Sequence, residues 1–374
     1  MVEFVDLGAQ YKSLKKEIDS RIQSVLDHAK FISGPEVKEL EGLLCKYLNV
    51  DYSITCANGT DAIQLSLMAL GVSHGDLVLC PSYSFFATAE AISLTGACPV
   101  FVDIELSNFN LCPKDLEEKI LDLDQAQRKK LKAIVVVDLF GMPADFGPIS
   151  EVANKYNLKI VKDGAQSMGA KIDNEFACSQ GDISTTSFFP AKPLGCYGDG
   201  GAVFTSNPEL AEKVRSLSVH GKGMHKYDNV RIGMNSRLDT IQAAILIEKL
   251  KVLDVEIEKR NGIARFYQSE LHSSILLPEV RERFYSSWAQ FVVRVERREL
   301  VTKRLDECGI PWAIYYPNCI HESAAYSRLN PSSLRNSELA SKTALGLPMH
   351  PYLDLDELDL IVQTVNEAVE VSNV

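Results

Sequence analysis

Short runs of apolar residues alternate with helical patterns in this chain, and this alternation limits the possible folds more than any other feature. The apolar runs lie at 77–80, 100–102, 133–137 and 158–161, and helical spacing of apolar residues occurs at 86–94 and 149–156. Strands that are apolar throughout are typical of a parallel sheet covered by helices on both faces. The sequence therefore predicts an α/β fold with a mostly parallel sheet.

The pattern changes in the last third of the chain. One long helix is predicted from 238 to about 271, followed by strands at 290–295 and 313–316 and helices at 299–308 and 357–369. We therefore predict two domains: residues 1–250 form a large domain, and residues 251–374 form a smaller α+β domain.

The net charge of −11 argues against non-specific binding to nucleic acid or to anionic membranes. Glu3 and Asp6 lie where a secretory signal would carry bases, and the longest apolar run, 133–137, is too short to span a bilayer. The nine cysteines are scattered, which is typical of reduced residues in a cytoplasmic enzyme. The sequence predicts no metal site.

Lys192 lies between a strand-like run that includes Phe188 and Phe189 and a loop rich in glycine. A lysine fixed on such a connection can have the lowered amine pKa that reaction with a carbonyl requires. The alternative is an ordinary solvated lysine. We interpret Cys196, in the same loop, as a small packing residue, because no base is evident beside it.

Other candidate residues follow predicted strands. The segment Asn58-Gly59-Thr60-Asp61 joins a short strand to a helix, where free N–H groups can bind an anion. An ordinary helix cap is the alternative. Asp163 and Gln166 follow the run at 158–161, and Phe85 follows the run at 77–80. Functional residues collect at the carboxyl ends of parallel strands, although a turn acid and a core aromatic are the alternatives for Asp163 and Phe85.

Four motifs together resemble the DegT-type sugar aminotransferases in order and spacing, and the resemblance covers essentially the whole chain. They are Asn58-Gly59-Thr60-Asp61, Asp163-Gly164-Ala165-Gln166, Ser187-Phe188-Phe189-Pro190-Ala191-Lys192 and Gly233-Met234-Asn235-Ser236-Arg237. The resemblance implies the aspartate-aminotransferase (type I) fold, with a large domain and a smaller C-terminal domain. It also implies a nucleotide-sugar aminotransferase that uses pyridoxal 5'-phosphate.

The resemblance assigns roles to three residues around the cofactor ring. Lys192 would bond covalently to the cofactor aldehyde and later move a proton to or from the substrate carbon. Asp163 would pair with the pyridinium nitrogen and so keep the ring able to accept electrons. Gln166 would hydrogen-bond the ring hydroxyl oxygen.

Further cofactor contacts are also implied by the resemblance. Gly59 and Thr60 would hold the phosphate with backbone N–H groups, helped by the Ser187 hydroxyl, and Phe85 would stack on the ring. Asn235 would reach the phosphate from the other subunit, which implies a homodimer with shared active sites.

The sugar is suggested by the segments around Lys192 and Arg237, which look like the subgroup that aminates C3 of UDP-2-acetamido-2-deoxy-3-oxo-glucuronate. That subgroup takes its amine from glutamate and serves the synthesis of surface polysaccharides such as lipopolysaccharide O-antigen. Arg237 would bind the sugar carboxylate, and Tyr316 and His321 would contact the nucleotide sugar, although a capped or solvated histidine is the alternative for His321. The alternative is a 3- or 4-aminotransferase for a UDP- or dTDP-linked keto-6-deoxyhexose.

Two other classes of protein share parts of this pattern. A parallel sheet alone would allow a nucleotide-binding oxidoreductase, but no G-x-G-x-x-G turn follows the first strand. A non-catalytic protein that binds pyridoxal phosphate is disfavoured because Lys192, Asp163 and Gln166 are present together.

Overall fold

The computed structural model describes residues 2–225, 227–329 and 333–372. In this part of the chain the strands are β1 (Tyr52–Cys56), β2 (Leu77–Pro81), β3 (Cys98–Val102), β4 (Leu131–Val137), β5 (Lys159–Asp163), β6 (Lys171–Ile172), β7 (Glu175–Phe176), β8 (Ile183–Ser187), β9 (Gly201–Thr205), β10 (Phe284–Tyr285), β11 (Phe291–Arg294) and β12 (Ala344–Leu347). The helices are α1 (Leu7–His28), α2 (Pro35–Leu48), α3 (Gly59–Ala69), α4 (Ala87–Leu94), α5 (Pro113–Asp122), α6 (Gln125–Lys130), α7 (Phe146–Tyr156), α8 (Pro208–Leu217), α9 (Thr240–Leu250), α10 (Leu253–Glu270), α11 (Arg298–Glu307), α12 (Arg335–Thr343) and α13 (Leu355–Ser372).

A central sheet is built in the order β1-β9-β8-β5-β4-β2-β3. Its pairs from β8 to β3 are parallel, whereas β9 runs antiparallel to both β1 and β8. All residues of β4 except the exposed Lys132 are buried, as expected for a strand covered on both faces. The predicted α/β fold with a mostly parallel sheet is confirmed.

The register of the sheet brings several strand ends to one edge. The pairs at this edge are Val137 with Asp163, Asp163 with Thr185, Ser187 with Gly201, and Gly201 with Cys56. Because β9 is antiparallel, its first residue lies beside the last residues of β1 and β8. The loop that carries Lys192 therefore connects neighbouring positions on the same edge.

The prediction of one helix from 238 to about 271 was wrong. The structure has α9 and α10, with a break at Lys251 and Val252. The N–H groups of these two residues donate to the carbonyls of Glu248 and Lys249, three residues back, at 3.3 and 3.2 Å. The last turn of α9 is tightened in this way, and Val252 leaves the regular path of the helix with φ −108° and ψ −3°.

The prediction of a strand at 313–316 was also wrong. Ala313 makes an isolated β-bridge with Gly346. The backbone of Tyr315 and Tyr316, however, hydrogen-bonds the Tyr83 side chain and not a neighbouring strand. The Tyr83 hydroxyl donates to the Tyr315 carbonyl, and the Tyr316 N–H donates to the Tyr83 hydroxyl oxygen at 3.1 Å. This segment therefore lies against the turn that follows β2.

The C-terminal elements share an apolar cluster. Strands β11 and β12 pair antiparallel, and the cluster contains residues of α10, α11, β11 and α13, among them Tyr267, Val301, Phe291 and Ile361. The domain boundary between 250 and 251 stays a prediction. None of the helices in the described ranges is long and apolar enough to cross a membrane.

Candidate active site

A cavity of about 450 Å³ opens at the sheet edge where β5 and β8 end. Many of the residues predicted from the sequence line it. They are Gly59, Thr60, Phe85, Asp163, Gln166, Ser187, Lys192 and Tyr316.

The N-terminus of α3 forms one side of this cavity. The Asn58 side chain caps the helix by accepting from the Asp61 N–H at 2.8 Å, and within the described residues no acceptor binds the N–H groups of Gly59 and Thr60. A Cβ atom on Gly59 would lie 2.7 Å from the Ser187 Cβ, so only glycine allows the helix to approach β8 this closely. Two free N–H groups and the Ser187 hydroxyl are thus available to an anion.

Lys192 extends from the loop that follows β8. Its backbone N–H donates to the Phe189 carbonyl at 2.9 Å, which fixes the start of the side chain. Burial lowers the pKa of the Lys192 ammonium to about 8, against the opposing effect of the Asp163 charge. A substantial fraction of this amine is therefore neutral and nucleophilic near neutral pH.

Asp163, the last residue of β5, is 5% exposed. Its carboxylate accepts from the Ala165 N–H at 3.2 Å and from the Thr88 hydroxyl at 3.1 Å. Burial raises the pKa of this carboxyl group, while the two hydrogen bonds and the Lys192 charge act in the opposite direction. A cation bound beside Asp163 would favour the ionised carboxylate.

Gln166, Tyr316 and Phe85 form another part of the wall. Gln166 accepts from the Phe140 N–H at 2.5 Å, and its side chain opposes part of the rise in the pKa of Tyr316. Burial raises the pKa of Tyr316, so its hydroxyl stays protonated near neutral pH. The Phe85 ring is 58% exposed and lies 6.1 Å from the Tyr316 ring, centroid to centroid, which leaves an aromatic face free to stack on a ligand.

Asn235 and Arg237 do not line this cavity. They lie on the segment that precedes α9, where an Arg237 N–H donates to the Asn235 side-chain oxygen at 2.5 Å. Within the described ranges, the Arg237 guanidinium has no ion-pair partner, whereas nearby Arg231 pairs with Glu212 at 3.2 Å.

His321 also lies outside the cavity, and its interpretation as a substrate contact stays a prediction. The ring is buried, its Nδ1 atom is hydrogen-bonded to the Ser82 hydroxyl at 2.6 Å, and Glu338 lies 3.7 Å from its Nε2 atom. The turn after β2 and the C-terminal segment enclose the ring, and its Nδ1 atom is already hydrogen-bonded within the fold.

The cavity also contains residues that sequence reasoning missed. Thr88 and Ser84 follow β2, where the rule that sites form at strand ends could have identified them. Gln290 precedes β11 in the C-terminal part of the chain, and no motif in the sequence marks it.

Comparison with known proteins gives one family for nearly the whole chain. Residues 12–366 match the model of the DegT/DnrJ/EryC1/StrS aminotransferase family. A relative from Pseudomonas aeruginosa, UDP-2-acetamido-2-deoxy-3-oxo-D-glucuronate aminotransferase, is 42% identical over 96% of this chain and 98% of its own. Another, dTDP-3-amino-3,6-dideoxy-alpha-D-galactopyranose transaminase from Aneurinibacillus thermoaerophilus, is 38% identical over 98% of this chain and 99% of its own.

Solved structures agree with this match. A DegT/DnrJ/EryC1/StrS aminotransferase from Brucella abortus is 44% identical, with a TM-score of 0.96 over 99% of this chain and 100% of that one. NtdA from Bacillus subtilis, solved with the bound cofactor PMP, is 31% identical, with a TM-score of 0.88 over 98% of this chain and 83% of that one. The predicted aspartate-aminotransferase fold is confirmed.

Proposed function

The chain belongs to the DegT/DnrJ/EryC1/StrS aminotransferase family, and from this premise we propose that it moves the amino group of glutamate to C3 of a UDP-linked 2-acetamido-3-oxo-uronic acid. Its general activity is that of a pyridoxal-phosphate-dependent aminotransferase for nucleotide-linked keto sugars.

The residues of the cavity fit pyridoxal phosphate. Free N–H groups at the start of α3, the amine of Lys192, the buried carboxylate of Asp163 and the open face of Phe85 share one cavity. These groups match a phosphate, an aldehyde, a ring nitrogen and an aromatic ring. Bound pyridoxal phosphate supplies the aldehyde carbon and a ring that accepts electron density from the reacting carbon.

Lys192 carries the proton transfers in this proposal. Its neutral Nζ atom accepts the proton from Cα of glutamate, and its charged form delivers a proton to C3 of the sugar. The support is the lowered pKa of about 8, which lets both forms exist near neutral pH. Asp163 would hold a proton on the ring nitrogen by staying ionised. Gln166 would hydrogen-bond the hydroxyl oxygen of the ring, and Tyr316 would contact the nucleotide sugar.

The observation that carries the choice of sugar is the match to the Pseudomonas aeruginosa enzyme, at 42% identity over 96% of the chain. Arg237 adds support, because its guanidinium has no ion-pair partner in the described part of the chain and offers two parallel donors to a carboxylate. The competing candidate is a UDP- or dTDP-linked keto-6-deoxyhexose, favoured by the 38% identity to the Aneurinibacillus enzyme.

The test compares two substrates that differ only at C6: the UDP-linked 3-oxo-uronate and a neutral 3-keto analogue without the carboxylate, each with glutamate as donor. Arg237→Ala and Arg237→Lys are expected to lower kcat/KM on the uronate roughly tenfold to a hundredfold, since a hydrogen bond to a charged group contributes about 1.5–3 kcal/mol. On the neutral analogue, kcat/KM of the same variants is expected to fall much less.

Arg231→Ala is the matched control, because Arg231 already pairs with Glu212 and the Ser216 hydroxyl. This variant is expected to change kcat/KM by the same factor on both substrates. An equal loss on both substrates in the Arg237 variants rejects the carboxylate contact and favours the 6-deoxy sugar.

We also propose a homodimer with shared active sites. The support is that Asn235 and Arg237 lie outside the cavity of their own chain, with Asn235 exposed. Light scattering of the cofactor-loaded protein is expected to give the mass of at least a dimer, and a monomeric mass with full activity contradicts the proposal. A cytoplasmic location and a role in surface polysaccharide synthesis stay predictions.

A further inference from the structure

Two hydroxyl groups in a row lead to the Asp163 carboxylate. The Thr88 hydroxyl donates to the Oδ2 atom of Asp163 at 3.1 Å, and it lies 3.0 Å from the Ser84 hydroxyl. Both Thr88 and Ser84 are buried, and both line the cavity together with Asp163. Two buried hydroxyls therefore adjoin the group that the proposed function pairs with the ring nitrogen of the cofactor.

The direction of these hydrogen bonds follows from the chemistry of the groups. An ionised carboxylate only accepts hydrogen bonds, and a hydroxyl has a single hydrogen to donate. With Asp163 ionised, the Thr88 hydrogen is used on the carboxylate, so the Thr88 oxygen accepts from the Ser84 hydroxyl. Both hydroxyls then point their hydrogens toward the negative charge and stabilise it, since hydrogen bonds in a row polarise one another.

The place of Thr88 in its helix leaves its hydroxyl available to Asp163. Further along their helices, the Thr343 and Thr364 hydroxyls donate to the carbonyl four residues back, at 2.8 and 2.7 Å, as threonines inside helices often do. Thr88 is the second residue of α4, and no full helical turn precedes it. Its hydroxyl therefore has no carbonyl of its own helix to bind and donates to Asp163 instead.

Other groups around Asp163 do not replace this contact. Burial raises the pKa of the Asp163 carboxyl group, and the charge of Asp138 acts in the same direction. The Ala165 N–H, the Lys192 charge and the Thr88 hydroxyl oppose this rise. Because Lys192 gains and loses protons in the proposed reaction, Thr88 is the side chain that can support the ionised carboxylate throughout.

We propose that Thr88 and Ser84 are positioning residues, whose hydrogen bonds keep the Asp163 carboxylate ionised and in one orientation for pairing with the ring nitrogen. Thr88 acts on the carboxylate directly, and Ser84 acts through Thr88. Each carboxylate oxygen has two lone pairs, so an Asp163 that accepts from Ala165 and Thr88 can still accept from a ring N–H. This inference rests on the role of Asp163 in the proposed function.

The test is a binding titration of the cofactor-free protein at pH 7 with two compounds. One is pyridoxamine phosphate, and the other is its analogue in which a C–H group replaces the ring nitrogen. Neither compound has an aldehyde, so the titration measures binding without covalent attachment to Lys192. The wild type is expected to bind the analogue roughly tenfold to a hundredfold more weakly, because a hydrogen bond to a charged group is lost.

Thr88→Val removes the hydroxyl and keeps the shape of the side chain. In this variant the ratio of the two dissociation constants is expected to fall roughly threefold to tenfold, since one hydrogen bond has a net effect of that order. Thr88→Ser keeps a hydroxyl and is expected to keep the wild-type ratio. Ser84→Ala removes the outer hydroxyl and is expected to lower the ratio about twofold, because its effect passes through Thr88.

Thr185→Val is the matched control. Thr185 is as buried as Thr88 and pairs with Asp163 in the sheet, but its hydroxyl donates to the Lys162 carbonyl at 3.2 Å. This variant is expected to lower the melting temperature and to leave the ratio of the two dissociation constants unchanged.

A wild-type ratio in Thr88→Val overturns the inference, even where both compounds bind more weakly, and leaves the proposed sugar and reaction standing. If Thr88→Val does not fold, Ser84→Ala decides, and an unchanged ratio in that variant overturns the inference. A wild-type protein that binds both compounds equally contradicts the proposed role of Asp163, and this inference fails with it.

Discussion

The pKa of Lys192 gives the most quantitative prediction from this structure. With a pKa of about 8 in the cofactor-free protein, roughly one molecule in ten carries the neutral amine at pH 7. For a lysine at the ordinary value of 10.5 the fraction is roughly one in three thousand. We therefore expect Lys192 to react with electrophiles about 300-fold faster at pH 7 than a lysine of the same intrinsic reactivity with the ordinary pKa.

The assay is competitive labelling of the cofactor-free protein with trace acetic anhydride between pH 6 and 11. Mass spectrometry of the digest measures labelling of the peptide that contains Lys192, with peptides from surface lysines as the internal reference. The labelling rate of Lys192 is expected to rise with pH and to reach half its maximum near pH 8.

Asp163→Asn provides the perturbation. The carboxylate of Asp163 raises the pKa of Lys192, so its removal is expected to move the labelling midpoint below that of the wild type. A wild-type midpoint above pH 10 would refute the argument from burial, and an upward shift in the variant would refute the argument from charge.

Two further substitutions and a second measurement on Asp163→Asn test the site and its surroundings. Lys192→Ala is expected to bind the cofactor without covalent attachment and to lose turnover; activity near that of the wild type would contradict the role of the lysine. Asp163→Asn is expected to keep its circular dichroism spectrum but to slow both half-reactions by orders of magnitude in single-turnover absorbance, and normal turnover would place the partner of the ring nitrogen elsewhere. Gly201→Ala puts a Cβ 2.5 Å from the Asn58 carbonyl group, so the free energy of unfolding measured with denaturant is expected to fall by about 1–3 kcal/mol. Gly42→Ala, with nothing within 4 Å of its Cβ, is the control and is expected to show no such loss of stability.

The fold could be predicted where a buried strand is apolar throughout, as in β4. Strand β8 could not be predicted, because its sequence, Ile-Ser-Thr-Thr-Ser, is polar. The strand-like run that the sequence does show, at Phe188 and Phe189, comes directly after it. The hydroxyls of Thr185 and Thr186 are buried because they donate to the carbonyls of Lys162 and Gly164, both at 3.2 Å. Such pairing depends on the neighbouring strand, so a single sequence does not reveal it.

The positions of some cavity residues could likewise be predicted from the sequence, whereas those of others could not. Asp163 and Ser187 end strands, and Gly59 begins a helix after one, so their positions on the sheet edge followed from the order of elements. Gln290 comes from a distant segment that packs against Phe140, and His321 lies outside the cavity, hydrogen-bonded to Ser82. Both outcomes depend on how the C-terminal segments pack against the sheet.

The antiparallel pairing of β1 with β9 has a consequence for synthesis of the chain. Strand β1 has no other neighbour in the described sheet, and β9 follows it roughly 150 residues later, which at 5–20 residues per second means roughly 7–30 s of translation. During that interval Ile54 and Cys56, both buried in the finished protein, have no strand to pair with. The nascent chain therefore exposes these two side chains to chaperones and to other chains, and we expect cofactor binding only after the loop that carries Lys192 has emerged.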